Sequence, residues 1–227
     1  MNCVIYYSNT EQSKTIAEYF SQKTSFPLFD INNLSSYDFD TVILVFPVHC
    51  QNIPKPVKCF LAKLQVKTLT VIATYGKMCY GNVLYEIQKH YKHNIVAAAY
   101  VPTKHTYLTE SGFNDFNALC PIISKISDPT PITIPKSYKN PLSNICMGLR
   151  SRIGVKIRKD YNNCNNCGKC NAVCNNNAIT YGKTNRKCIR CLKCVENCPT
   201  HALHFINRLP MRIYLSKNKT DKTVVYI

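Results

Sequence analysis

No stretch of the 227 residues approaches the roughly 18–20 consecutive apolar positions that a membrane-spanning helix needs. The longest apolar run, Thr41 to Val48, reads as a buried strand. Met1-Asn2-Cys3 leads straight into a strand-like VIYY, without the charged and apolar regions of a secretory leader. These two absences set the expectation of a soluble, cytoplasmic protein with no membrane partner. Acidic residues are scarce: 12 Asp and Glu stand against 29 Lys and Arg, a formal net charge of +17. From Arg150 onward the sixteen basic residues face three acids, Asp160, Glu196 and Asp221. Glycine is thin where tight loops would want it, with Gly168 and Gly182 alone in the cysteine-rich region.

Cysteine is what the chain has in plenty. Of its 14 cysteines, Cys3, Cys50, Cys59, Cys79, Cys120 and Cys146 are scattered singly, and eight fall in two tight runs. In a chain without a leader such runs point to metal binding rather than disulfides, and to a reducing compartment. Both runs read C-x2-C-x2-C-x3-C. Cys164, Cys167, Cys170, Cys174, Ala178 and Ile179 match Cys188, Cys191, Cys194, Cys198, Ala202 and Leu203, 24 residues apart. The x2 spacing lets one loop curl three thiolates around one face of a cubane. The fourth cysteine lies on the following helix, points away from its own loop, and serves the cluster of the other run. The expectation is two [4Fe-4S] clusters. One is held by Cys164, Cys167, Cys170 and Cys198, the other by Cys188, Cys191, Cys194 and Cys174. Structural zinc is the competing reading, but zinc prefers paired C-x2-C knuckles, and a third cysteine at x2 would be surplus. Two such runs resemble the two-cluster bacterial ferredoxins. The second keeps that family's proline after its last cysteine (Pro199), whereas the first has Asn175 there, a departure expected to loosen the turn.

The clusters also bear on the charge. Four thiolates on an iron–sulfur core leave a net charge of about −2, so two clusters offset about four positive charges. A flavin phosphate would offset about two more, leaving about +11. An acidic redox partner fits this balance. A nucleic-acid face is the other reading of basic charge, and no motif supports it.

The first 125 residues alternate strand-like and helix-like segments. Strands are read at 3–7, 27–31, 41–46, 69–74 and 94–101, and helices at 10–23, 57–64 and 82–91. This is the pattern of an α/β fold with a five-stranded, doubly wound parallel sheet. Residues 126–157 hold four prolines (Pro129, Pro131, Pro135 and Pro141) and read as an extended connector ending in a short basic helix from about 144. The cysteine module, a small α+β ferredoxin-like domain, occupies 158–206. Residues 207–227 form a tail whose TVVYI segment suits either a hairpin or an added sheet strand.

Three loops follow the ends of these strands. The first carries Ser8, Asn9, Thr10, Glu11, Gln12 and Ser13, hydroxyls and amides at a helix start where a phosphate could sit. A serine-capped helix start is the plain alternative. The second contains Pro47, Val48, His49 and Cys50; the third contains Thr74, Tyr75, Gly76, Cys79, Tyr80 and Gly81. The first resembles the phosphate loop of flavodoxins, with Ser8, Thr10, Ser13 and Ala17 on matching positions. Asn9 and Glu11 stand where glycine is usual, and Gln12 replaces asparagine. The other two resemble the flavin-contacting loops of that family. The resemblance implies FMN, with Tyr75, Tyr80 and His49 as candidate ring partners, and Gly76 and Gly81 permitting close backbone approach. Cys50 and Cys79 are either a redox pair beside the flavin or idle thiols.

Nearly the whole chain resembles the flavodoxin–ferredoxin fusion proteins of anaerobes. That resemblance implies an electron-transfer flavo-iron–sulfur protein, an electron carrier rather than a dedicated oxidoreductase with its own small substrate. The alternative is a ferredoxin whose flavodoxin-like half has lost FMN and serves for docking.

Overall fold

The computed structural model describes residues 1–108, 112–144, 147–217 and 219–227. The chain divides into two units, Met1–Ser143 with Lys219–Ile227, and Asn144–Asn218.

The first unit is built on a six-stranded sheet in the order β10-β5-β4-β3-β1-β2. Its strands are β1 (Asn2–Tyr6), β2 (Leu28–Asp30), β3 (Asp38–Pro47), β4 (Gln65–Tyr75), β5 (Ile95–Pro102) and β10 (Val224–Tyr226). The first five run parallel, and β10 pairs antiparallel with β5. Side chains alternate between the faces with the period of two that a strand imposes. Cys3, Ile5, Val42, Leu44, Phe46, Val71 and Ala73 enter one core with Val57, Phe60 and Leu61 of α2 (Lys55–Leu61) and with Val83, Leu84 and Ile87 of α3 (Val83–Tyr91). Val4, Ile43, Val45, Ile72, Ala97 and Ala99 enter the other core. There they meet Ile16, Ala17 and Phe20 of α1 (Gln12–Thr24), and Ile122 of α4 (Cys120–Ser127). The central strands are apolar on both faces because helices cover both.

The five parallel strands fall where the sequence places them, and β10 resolves the tail in favour of an added strand. Every residue of β5 is buried, so an open edge there would leave backbone groups of an apolar strand unpaired. The proline-rich connector is bound to this unit up to Ser143. The Ile132 N–H donates to the Ile95 carbonyl (2.9 Å), Gln88 clasps Ile132 and Ile134 from both sides, and Ile134 lies in the core.

In the second unit, α5 (Met147–Gly154) is shorter than the helix expected to 157, because Val155–Lys159 leave it as strand β6. Ile145 and Cys146, near that helix's expected start, lie outside the described residues. Strand β6 pairs antiparallel with β9 (Leu203–Asn207), and β7 (Ile179–Thr180) pairs with β8 (Lys183–Thr184). Between them lie two one-turn helices, α6 (Lys169–Ala172) and α7 (Lys193–Glu196), and α8 (Leu209–Leu215) follows β9. Among the described residues no helix is long and apolar enough to cross a membrane.

Candidate cofactor sites

The 24-residue repeat of the cysteine runs is also a repeat of backbone handedness. Positive φ occurs at Asn166 and Arg190, at Gly168 and Leu192, and at Asn177 and His201, three pairs each 24 apart. Helices α6 and α7 keep the same spacing. The hydrogen bonds follow suit: Cys174 N–H to Asn171 O at 3.2 Å against Cys198 N–H to Val195 O at 3.3 Å. The turn after each last cysteine closes by Asn177 N–H to Cys174 O at 3.0 Å and His201 N–H to Cys198 O at 3.1 Å. Both turns thus close with the same backbone bond, whether asparagine or proline follows the cysteine. Left-handed backbone costs about 1–2 kcal/mol for a residue with a side chain. At Leu192 burial of the side chain holds it in place, and at Arg190 the guanidinium bonds Val155 O (3.2 Å) and Thr184 Oγ1 (2.8 Å).

All eight thiols of the two runs are free. Burial, reinforced by the neighbouring thiols of Cys191, Cys188, Cys174 and Cys170, pushes Cys194 up to about 12. Cys191 is likewise raised, first by burial and then by Cys188 and Cys174. Cys174 thus lies within electrostatic reach of Cys191 and Cys194, and Cys170 of the first run within reach of Cys194. For Cys198, burial acts upward but is outweighed by the N–H groups of Leu203, Thr200 and Ala202 and by the Thr200 hydroxyl, so the thiol is lowered. The Ala178 N–H donates to Cys174 Sγ at 3.3 Å, the counterpart of Ala202 at Cys198. Such N–H donors favour the thiolate form that ligates iron. Among the described residues no three His, Cys, Asp or Glu side chains form a group suited to one metal ion.

Residues 184–204 match the 4Fe-4S binding domain family, a span covering the whole second cysteine run. The C-terminal region carries a 4Fe-4S binding domain. Comparison with the curated proteins gives no match. The 4Fe-4S domain follows a mostly parallel α/β sheet, and its iron–sulfur chemistry points to electron transfer.

The three loops at the carboxyl end of the sheet are joined to one another. Ser13 Oγ pairs with Thr74 Oγ1 at 2.8 Å, the Val48 N–H donates to Thr74 O at 2.7 Å, and Asn9 Nδ2 lies 3.5 Å from His49 Nε2. Glu11, the residue before α1, adopts the left-handed backbone (φ 59°) that a glycine would take easily. Its carboxylate is exposed and faces Lys14 Nζ at 3.3 Å on the helix. Ser8 is buried in the same loop.

The second loop is a tight hairpin in which His49 and Asn52 exchange backbone hydrogen bonds (3.0 and 2.9 Å) around Cys50 and Gln51, both at positive φ. Loss of solvation pushes the crowded His49 imidazole down to about 4, so it is neutral at pH 7. Gly81 lets the third loop meet this hairpin, since a Cβ there would come within 2.7 Å of Gln51 Cβ. Tyr75 and Tyr80 are engaged in packing: the two rings meet edge-on, Tyr80 stacks on Tyr100, and Tyr75 donates its hydroxyl to Lys222 O at 2.8 Å. His49 is the ring of the three nominated that stays out of this cluster. Cys50 is exposed and Cys79 half-buried, and neither is in a disulfide.

Two sets of residues around these loops escaped the sequence reading. After β5, Thr103 binds Tyr75 O through its N–H (2.7 Å), and His105 sits so close to Gly76 that a Cβ there would lie 2.7 Å from its ring. Its place at the end of a parallel strand was the available signal. From the connector, Lys139 binds Glu86 and Asn52 (2.7 Å each), and the Asn140 N–H binds the Gln51 side chain (2.9 Å). Nothing in the local pattern of a proline-rich segment marks those long-range partners.

Proposed function

We propose that this protein relays electrons between an FMN on the parallel-sheet unit and two [4Fe-4S] clusters in the C-terminal unit. The observation that carries the reading is the doubled cysteine loop, whose positive-φ positions and one-turn helices repeat 24 residues apart, with Cys174 within reach of Cys191 and Cys194. It supports crossed ligation: Cys164, Cys167, Cys170 and Cys198 for one cluster, and Cys188, Cys191, Cys194 and Cys174 for the other. Residues 1–125 would hold the flavin and 158–206 the clusters. A flavin takes two electrons and passes them singly, whereas each cluster carries one, which is the use of joining them.

The chain's own residues set the stage for FMN. Glu11 takes the backbone conformation of the missing glycine and turns its charge to Lys14, leaving the helix start open to a phosphate. Ser8, Asn9, Thr10, Gln12 and Ser13 surround that helix start. Neutral His49 presents an uncharged ring from the second loop, while the close approaches at Gly76 and Gly81 are taken by His105 and Gln51 of the chain itself. The second reading, a ferredoxin with a flavin-free docking domain, is favoured by the packed rings of Tyr75 and Tyr80. Anaerobic purification followed by flavin, iron and sulfide analysis separates the two. One FMN with about eight irons supports the relay; eight irons with no flavin, even after FMN is offered, supports docking alone. The basic excess beyond Arg150 suits an acidic redox partner, so transfer to that partner should slow as ionic strength rises.

A further inference from the structure

A cleft of about 450 Å³ opens beside the first cysteine loop, lined by Lys159, Tyr161, Asn166, Thr180, Tyr181 and Lys183. Its walls are held in place. Strands β7 and β8 are joined by Tyr181 and Gly182, both at positive φ (43° and 86°), the geometry of a two-residue hairpin turn. An aromatic residue is unusual in that conformation, and here the turn is fixed by the Tyr181 N–H donating to Asn171 Oδ1 at 2.8 Å. Gly182 is required because a Cβ would meet Lys159 Cδ at 2.8 Å, so the lysine stem lies across the turn. The Lys159 ammonium donates to Asn166 Oδ1 (2.9 Å) and stands 5.2 Å from the centre of the Tyr161 ring. Asn166 belongs to the loop between Cys164 and Cys167, and its Oδ1 lies 3.7 Å from Cys164 Sγ. One wall of the cleft is therefore the cysteine loop itself.

The lining chemistry is selective. Two lysines and two tyrosines line the space, and none of its lining residues is acidic. Tyr161 and Tyr181 stay 70% and 48% exposed, leaving large aromatic surface open to water. Flat rings offer little to a bare phosphate, whereas a planar aromatic anion meets ring faces and ammonium groups together. The volume is that of a small-molecule site.

We propose that this cleft binds a small planar aromatic anion, held by Lys159 and Lys183 and stacked on Tyr161 or Tyr181. As a port for electrons next to the first cluster its role rests on the function proposed above; the binding is measurable without it. The test is equilibrium dialysis of anthraquinone-2,6-disulfonate against the full-length protein, purified anaerobically. One probe per chain should bind, more tightly than the uncharged 2-methyl-1,4-naphthoquinone. Lys159→Met and Lys183→Met should each weaken binding severalfold, and together at least tenfold. Tyr181→Asn, which keeps a residue tolerant of positive φ, should also weaken it. Lys217→Met removes one exposed charge outside the cleft and should leave binding unchanged. Should Tyr181→Asn misfold, the two lysine variants still decide the question, with iron content as the check on folding. Equal binding by wild type and the double lysine variant would overturn the proposal. So would tighter binding of an oligothymidylate than of the quinone, or no probe bound at millimolar concentration. Protein that lacks flavin but binds the probe would sink the relay and spare this site. Protein with flavin and eight irons but no probe binding would do the reverse.

Discussion

The two cysteine runs share a backbone and differ in how deeply they lie. At each pair of positive-φ positions the first run uses small or polar residues, Asn166, Gly168 and Asn177, while the second uses Arg190, Leu192 and His201. Cys188 and Cys194 are buried, whereas their counterparts Cys164 and Cys170 are half-buried and Cys167 is exposed. The second run is stiffened by packing and by the Arg190 anchor; the first reaches the same shape through residues that accept it more readily. A repeat can thus preserve geometry while its two copies diverge in access to solvent, the property that tunes a cluster's potential and its exposure to attack.

Four experiments bear on that difference. The largest effect is expected from Cys174→Ala. On the proposed crossed ligation, bound iron falls from about eight to about four per chain, and the cluster left is the more exposed one of the first run. Loss of the exposed cluster instead would break the scheme. Next, an iron chelator or air should remove iron from the wild type in two phases, the first-run cluster going several times faster. A single phase would mean that the difference in burial has no consequence. Third, Leu192→Gly releases about 1–2 kcal/mol of backbone strain but loses roughly 2–5 kcal/mol of packing. It should therefore speed cluster loss in guanidinium, and so should Gly168→Ala, which adds about 1 kcal/mol of strain at φ 74° where the new methyl would meet only Tyr181, at an ordinary contact distance of 3.8 Å. Equal and opposite effects of these two changes would show that strain alone separates the runs. The smallest effect is that of Asn175→Pro, since the Cys174–Asn177 turn that holds it is already closed; a gain of about 0.4–1 kcal/mol, read as a small rise in thermal midpoint, is expected.

Much of this was legible in the residues. Short continuous apolar runs alternating with helix-like segments placed the parallel sheet, because both of its faces are covered and its central strands are apolar throughout. The cysteine spacing marked two equivalent loops, and their backbone repeats 24 residues apart. The connector was harder: its prolines read as an extended connector, yet Ile132, Lys139 and Asn140 bind it to β5, α3 and the His49 hairpin. Those are long-range contacts with no local signature. The loops expected to hold a flavin were read from strand-end position and residue type, and Tyr75 and Tyr80 could not be told from core residues until Tyr100 and the tail were seen beside them.

The most direct test of the account compares two double variants by iron content after anaerobic reconstitution. Cys167→Ala with Cys198→Ala removes two ligands of one proposed cluster, so about four irons should remain. Cys167→Ala with Cys174→Ala removes one ligand from each, and the iron should be nearly lost. The opposite pattern, with iron retained when Cys167 and Cys174 are both replaced, would mean that each run closes its own cluster and would contradict the account.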